Sequence, residues 1–122
     1  MGDHACLGPY VDCYNVARIE LGEYATVSQY SYLCGATHDY TKLTMPLVPK
    51  PIRIGARAWV AADAFVGPGI TVEEGAVVGA RSCVVHDVPA WTVVAGNPAR
   101  VIKRRVLEGA ASDSIQAGLP VP

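Results

Sequence analysis

From Ile54 to Pro89 the chain reads in sixes: IGARAW VAADAF VGPGIT VEEGAV VGARSC VVHDVP. The first place of every hexad is aliphatic (Ile54, Val60, Val66, Val72, Val78, Val84), and the fifth is mostly small: Ala58, Ala64, Ala76 and Ser82, with Ile70 and Val88 larger. A helix would repeat its apolar positions every 3.6 residues and a half-buried strand every 2. A period of six calls instead for a short strand and a sharp turn, three of which close one coil of about 18 residues. First-place aliphatics then stack in a dry interior, and the coils pair edge to edge at about 4.8 Å. The pattern predicts an all-β solenoid.

The frame also runs through MGDHAC LGPYVD CYNVAR, with Met1, Leu7, Cys13 and Ile19 first and Ala5, Val11 and Ala17 fifth. A slip of two residues between Ile19 and Leu21 is expected to bulge outward. The frame resumes as LGEYAT VSQYSY LCGATH, with Leu21, Val27 and Leu33 first and Ala25, Ser31 and Thr37 fifth. Over 39–53 it vanishes, and Pro46, Pro49 and Pro51 predict a loop protruding from one corner, with Pro51 to Ile54 leading back in. After Pro89, Val93 and Val94 predict a last strand, Gly96-Asn97-Pro98 a turn, and Ala99 to Val106 a short C-terminal helix. The repeat domain is placed at 1–105 and a disordered tail at 106–122. Because the repeat already runs at Met1, an N-terminal part of the solenoid is expected to be missing.

At 122 residues there is room for one domain, and a net charge of -1 gives no basic balance for nucleic acid. Cys6, Cys13, Cys34 and Cys83 form no CxxC pair, so reduced thiols in a cytoplasmic protein are expected. No apolar run is long enough to span a bilayer and no signal peptide is visible.

The hexads, together with the run VSQYSYLCGATHDY, resemble the hexapeptide-repeat acyltransferases, and within them the sugar O-acetyltransferases of the colanic-acid biosynthesis type. The resemblance covers about residues 1–105. It implies a left-handed parallel β-helix, a homotrimer, acetyl-CoA as co-substrate bound in clefts between subunits, no required metal, and a sugar hydroxyl as acceptor. It also implies that His38, which closes the last hexad before the loop, is the general base, since an imidazole can take a hydroxyl proton near neutral pH. Asp39 follows directly, but adjacent side chains on a turn diverge, so it is not assigned as a partner.

By the same resemblance the pantetheine arm runs beside Trp59, Ala62, Gly79 and Ala80. Arg100 and Lys103 meet the nucleotide phosphates from one helix face that Arg104 shares, and Val85 and His86 lie near the adenine end, where the family often carries lysine. Backbone N–H groups near Ala61 and Ala62 are candidate oxyanion donors. Asp12 and Asn15 are candidate acceptor contacts. Plainer readings stay open: turn residues bonding their own backbone for Asp12 and Asn15, subunit packing for Trp59, and a solvated helix end for the basic cluster. The rival function is a non-catalytic or N-terminally truncated assembly module. The γ-type carbonic anhydrases share the solenoid, but His4, His38 and His86 occupy dissimilar hexad places, without the close histidine pair that such a zinc site needs.

Overall fold

A computed structural model describes residues 1–108. The hexads form a three-sided prism of parallel strands. The first side stacks Cys6–Leu7, Thr26–Val27, Trp59–Val60, Val77–Val78 and Thr92–Gly96. The second stacks Asp12–Tyr14, Tyr32–Cys34, Phe65–Val66 and Cys83–Val84. The third stacks Ile19–Leu21, Ile52–Ile54 and Thr71–Val72.

Registers follow the hexad frame from Ile54 to Val84, but Val88, a fifth place in that frame, pairs with the first-place Val72 because the last coil is two residues shorter at this corner. Val27, Val60, Val78 and Val94 form one internal column, and Leu33, Val66 and Val84 form another. Every first-place aliphatic from Leu21 to Val84 is buried, as are the fifth-place Ala25, Ala58, Ala64 and Ala76. Ser31 is fully buried, yet its hydroxyl donates to Ala61 O at 2.9 Å and accepts from Ala64 N at 3.3 Å, so no unpaired group is left inside.

Corners turn through left-handed backbone. His4, Tyr24, Arg57 and Trp91 hold this corner in four of the five coils with φ between 57° and 59°, and Gly75 holds it in the other at 70°. Non-glycine residues rarely adopt this region, and here side-chain stacking offsets its cost. The His4 and Tyr24 rings stack at 4.7 Å, the Arg57 guanidinium lies 5.2 Å from the Tyr24 ring centre, and that of Arg105 lies 5.6 Å from the Trp91 ring centre.

The structure departs from the sequence reading in four further places. Ala99–Arg104 is a strand, not a helix, and runs antiparallel to Thr92–Gly96. The last parallel strand would otherwise leave an open edge, and Val101 and Ile102 suit a strand at least as well as a helix. Residues 39–53 are not simply loop: Ala36–His38 and Leu47–Pro49 form an antiparallel hairpin, closed by Asp39 N donating to Pro46 O at 3.0 Å, before Ile52–Ile54 rejoins the prism. Thr37 is therefore exposed and Ala36 is the buried residue, because the chain leaves the prism one residue early.

The fourth departure concerns the slip. Ile19 registers with Ile52 and Leu21 with Ile54, so Ile19 occupies a fifth place and no bulge follows it. The two extra residues instead lengthen the corner between Tyr14 and Ile19. From the inward residue of the second side to that of the third, the regular coil takes four residues (Val66 to Ile70), the first coil six (Cys13 to Ile19), and the second nineteen (Leu33 to Ile52). Both lengthenings of the repeat thus sit on one corner, in adjacent coils. Gly35 marks where the hairpin leaves: its N–H donates to Tyr14 O at 2.9 Å, and a Cβ there would stand 2.5 Å from that oxygen.

The expected tail falls outside the described residues from 109 onward. No helix among those described is long and apolar enough to cross a membrane.

Candidate active site

His38 ends the outgoing strand of the hairpin, opposite Leu47. Its Nδ1 lies 2.8 Å from the carbonyl oxygen of Met45. A carbonyl can only accept, so Nδ1 carries the proton and the neutral ring has its lone pair on Nε2. The ring is exposed and held by the tip of its own hairpin. Asp39 does not pair with it. That carboxylate accepts from the backbone N–H of Thr41 at 3.1 Å and from the Thr41 hydroxyl, and so shapes the tip.

Cys34 lies near in sequence, but its thiol donates to Ala36 O at 3.2 Å, which commits it to the base of the hairpin. The adjacent Tyr32 phenol, bonded to Cys34, is pushed up to about 12, and so stays protonated. Burial, followed by the Asp12 carboxylate, raises the Cys13 thiol. The Cys13 thiol is therefore not poised as a thiolate nucleophile.

The candidate CoA residues collect mainly on the first side. Trp59 is exposed there, its indole N–H fixed on the Ser28 hydroxyl at 2.8 Å. Trp59, Val77 and Val93 form an outward column that continues to Lys103 across the antiparallel pair. Beside it runs a shallow track of small residues, where a Cβ on Gly79 would come within 3.1 Å of Ala95 Cβ. Arg100 stands opposite Ala95 and Lys103 opposite Val93. Residues three apart on a regular strand would face opposite ways, but the register shift between Val93 and Val94 puts both cations on the outward face. The shared helix face is thus replaced by a bulged strand that still brings Arg100 and Lys103 together. Arg104 registers with the buried Thr92 and leaves the pair.

At the corner after the first side, Ala62 and Ala80 line a groove of about 390 Å³ with Gln29, Tyr30, Asp63 and Arg81. The N–H of Ala61 is not a free donor, since it is spent on Val78 O at 2.9 Å in the ladder. The N–H of Ala62, a residue lining this groove, donates to no backbone carbonyl among the described residues. Small side chains, an available N–H and two outward cations fit an extended thioester cofactor with a phosphorylated end.

Val85 and His86 are exposed but do not join this group. They follow the second side and sit one corner on, roughly 15 Å from Ala80 at strand rise. Asn15 lies on the lengthened corner beneath the hairpin base, whereas Asp12 lies on the second side opposite Tyr32. Sequence reasoning missed Met45, which orients His38, and Ser28, which orients Trp59. A backbone carbonyl leaves no mark in a sequence, and the Ser28 pairing spans 31 residues.

This is the architecture of a hexapeptide-repeat transferase. No family model matches the chain. It is 44% identical, over 106 residues, to a protein named as a colanic acid biosynthesis acetyltransferase, WcaF, from Escherichia coli (strain K12), covering 87% of this chain and 58% of that protein. A crystal structure of a maltose O-acetyltransferase from Clostridium difficile 630 superposes with a TM-score of 0.72 at 27% identity, covering 85% of this chain and 60% of that one. A hexapeptide-repeat acetyltransferase from Vibrio cholerae O1 biovar eltor, solved with acetyl-coenzyme A, superposes at 0.69 and 24% identity, over 85% of this chain and 69% of that one. In sequence and fold the chain is similar to the hexapeptide-repeat acyltransferases, and its prism is the left-handed parallel β-helix. It spans about three fifths of the length of the first two of these proteins.

Proposed function

We propose that the chain forms the β-helical domain, over about residues 1–105, of an acetyl-CoA-dependent O-acetyltransferase acting on a sugar hydroxyl, with exopolysaccharide of the colanic-acid type as the acceptor class. The observation that carries this reading is the His38 Nδ1 to Met45 O bond of 2.8 Å, which leaves Nε2 as a base on a projecting, solvent-facing strand. Acetyl-CoA supplies the thioester carbonyl. Nε2 takes the proton of the acceptor hydroxyl as that oxygen bonds to the carbonyl carbon, the carbon–sulfur bond breaks, and the proton passes to the departing thiolate. No covalent enzyme intermediate is needed. The similarity to WcaF supports the acceptor class.

Two copies are needed to complete the site. Within one chain the hairpin leaves the corner after the second side, while Ala62 and Ala80 lie on the corner before it. His38 of one copy therefore serves the groove of its neighbour, and a homotrimer gives every copy one such neighbour. Tyr14, Tyr32, Phe65 and Cys83 make the outward surface of the second side largely apolar, which supports a contact there. Four free cysteines, none in a disulfide, support a reducing, cytoplasmic location.

Calorimetric titration of acetyl-CoA, with the oligomeric mass determined on the same sample, tests the reading. Saturation near one per chain on a trimer is expected. Arg100→Ala and Lys103→Ala should each weaken binding about tenfold, the scale of one charge-assisted contact to phosphate. A folded trimer that takes up no acetyl-CoA would instead establish the non-catalytic assembly module.

A further inference from the structure

On the third side of the prism, away from the Trp59 face, a cavity of about 460 Å³ is lined by Arg18, Glu20, Lys50, Arg53, Gly69 and Thr71, with Pro51 and Ile52 behind them. Three cations face one carboxylate. Glu20 is engaged by Arg18, whose Nε lies 2.8 Å from Oε1, while Lys50 and Arg53 have no carboxylate within salt-bridge distance among the described residues. Like charges are not gathered into a concave site by chance packing, because each raises the cost of the others.

The origin of these residues sharpens the point. Arg18 lies on the corner lengthened by two residues in the first coil, and Lys50 at the end of the excursion that carries the hairpin in the second. A regular coil needs neither. Both lengthened turns thus deliver a cation to the same cavity. The third coil meets them with Gly69, at φ 76°, against which the Lys50 stem is laid: a Cβ there would stand 3.4 Å from Lys50 Cδ and 3.5 Å from its Cβ. Arg53 is held between the strands on either side, in register with Glu20 and Thr71.

We infer that this cavity binds an oxyanion carried by the acceptor, a phosphate ester or a carboxylate on the sugar or on the unit next to it. The assignment to the acceptor rests on the acetyl-transfer reading above. Lys50 N donates to Gly35 O at 2.8 Å, so the cavity adjoins the root of the hairpin, three residues before His38. At strand rise that is about 10 Å, the span of a sugar ring and one linked anionic group. A planar guanidinium suits the two oxygens of either anion, with the lysine as a point charge beside it. A neutral saccharide would leave both free cations unpaired.

The full chain would be titrated with glucose 1-phosphate, glucuronate and methyl glucoside, and separately with acetyl-CoA. At least one charged sugar is expected to bind tenfold or more tightly than methyl glucoside, and the tighter of the two identifies phosphate or carboxylate. The double variant Lys50→Ala, Arg53→Ala should lose that preference while keeping its acetyl-CoA affinity within twofold. Both side chains are exposed, and circular dichroism would check the fold. Equal binding of all three sugars, or a preference that survives the double variant, would overturn the inference. So would displacement of the charged sugar by saturating CoA together with its loss in Arg100→Ala, because the anion would then belong to the cofactor groove. If acetyl-CoA fails to bind while the preference persists and disappears in the double variant, the anion site stands and the acetyl-transfer reading falls.

Discussion

Replacing His38 with alanine is expected to lower kcat for acetyl transfer by on the order of 10²- to 10⁴-fold, the range general-base catalysis contributes. Acetyl-CoA affinity should stay within about twofold, because no candidate CoA contact touches the ring. Alanine alone leaves an ambiguity, since it also removes the bond to Met45 O and could loosen the hairpin tip. Asparagine resolves it. Its side-chain amide places a donor near the position of Nδ1, so His38→Asn can keep the tip closed while offering no basic nitrogen in place of Nε2. The asparagine variant should fold and bind acetyl-CoA like the parent and still lose transfer to the same degree. If it turned over at the parental rate, the ring would be a strut for the hairpin and the base would lie elsewhere. Single-turnover measurements at saturating acetyl-CoA separate the chemical step from binding.

The prism and its interior were legible because the repeat states them directly. Buried pairs such as Val60 with Val78 and Val66 with Val84 require one residue type at one interval, and the sequence carries that interval without interruption from Ile54 to Val84. Legibility ended where the repeat did. Ile19 was assigned to a first place because aliphatic residues occupy first and fifth places alike, and only its pairing with Ile52 separates the two. Ala99–Arg104 carries both helix-compatible and strand-compatible residues, and the deciding factor, the open edge of Thr92–Gly96, lies outside its own sequence. The hairpin was masked by Pro46, Pro49 and Pro51, which read as strand breakers. Pro49 in fact sits at the end of its strand opposite Ala36, where a missing donor costs little.

The candidate site divides the same way. His38, Trp59, Ala62, Gly79, Ala80, Arg100 and Lys103 were nominated by the resemblance that the hexads and the run VSQYSYLCGATHDY carry. What positions them was not found, because it depends on contacts across coils: Met45 O on His38, Ser28 on Trp59, and the bulge that turns Lys103 outward with Arg100. The cation cavity was invisible for a related reason. Arg18, Lys50 and Arg53 are scattered in sequence and meet only because both lengthened turns fall on one corner.

Gly55→Ala is expected to be strongly damaging to the prism, more so than Gly69→Ala, where the backbone conformation is the unusual one. A Cβ at Gly55 would stand 2.7 Å from Glu74 N, 2.8 Å from Glu73 C and 3.0 Å from Val72 O, all main-chain atoms of the next coil. The ladder that fixes this spacing runs through the same residue, since Gly55 N donates to Val72 O at 2.7 Å. Relief requires the coils to part by several tenths of an ångström, which lengthens that bond and opens the Val60 and Val78 column beside it. Overpacking of this kind costs about 3 kcal/mol, or roughly 10–15 °C in Tm for a domain near 100 residues. Gly69→Ala is the control. Its φ of 76° looks forbidding, but the added Cβ meets only the Lys50 stem at 3.4 Å and beyond, and Arg57, Asp63 and Arg81 hold φ of 58–59° at other corners. Its cost should be about 1 kcal/mol, the conformational penalty alone. Thermal unfolding of both variants at one protein concentration gives the comparison, since assembly makes Tm depend on concentration. A larger loss at Gly69 than at Gly55 would mean that corner conformation, and not the spacing between coils, limits the stability of this solenoid.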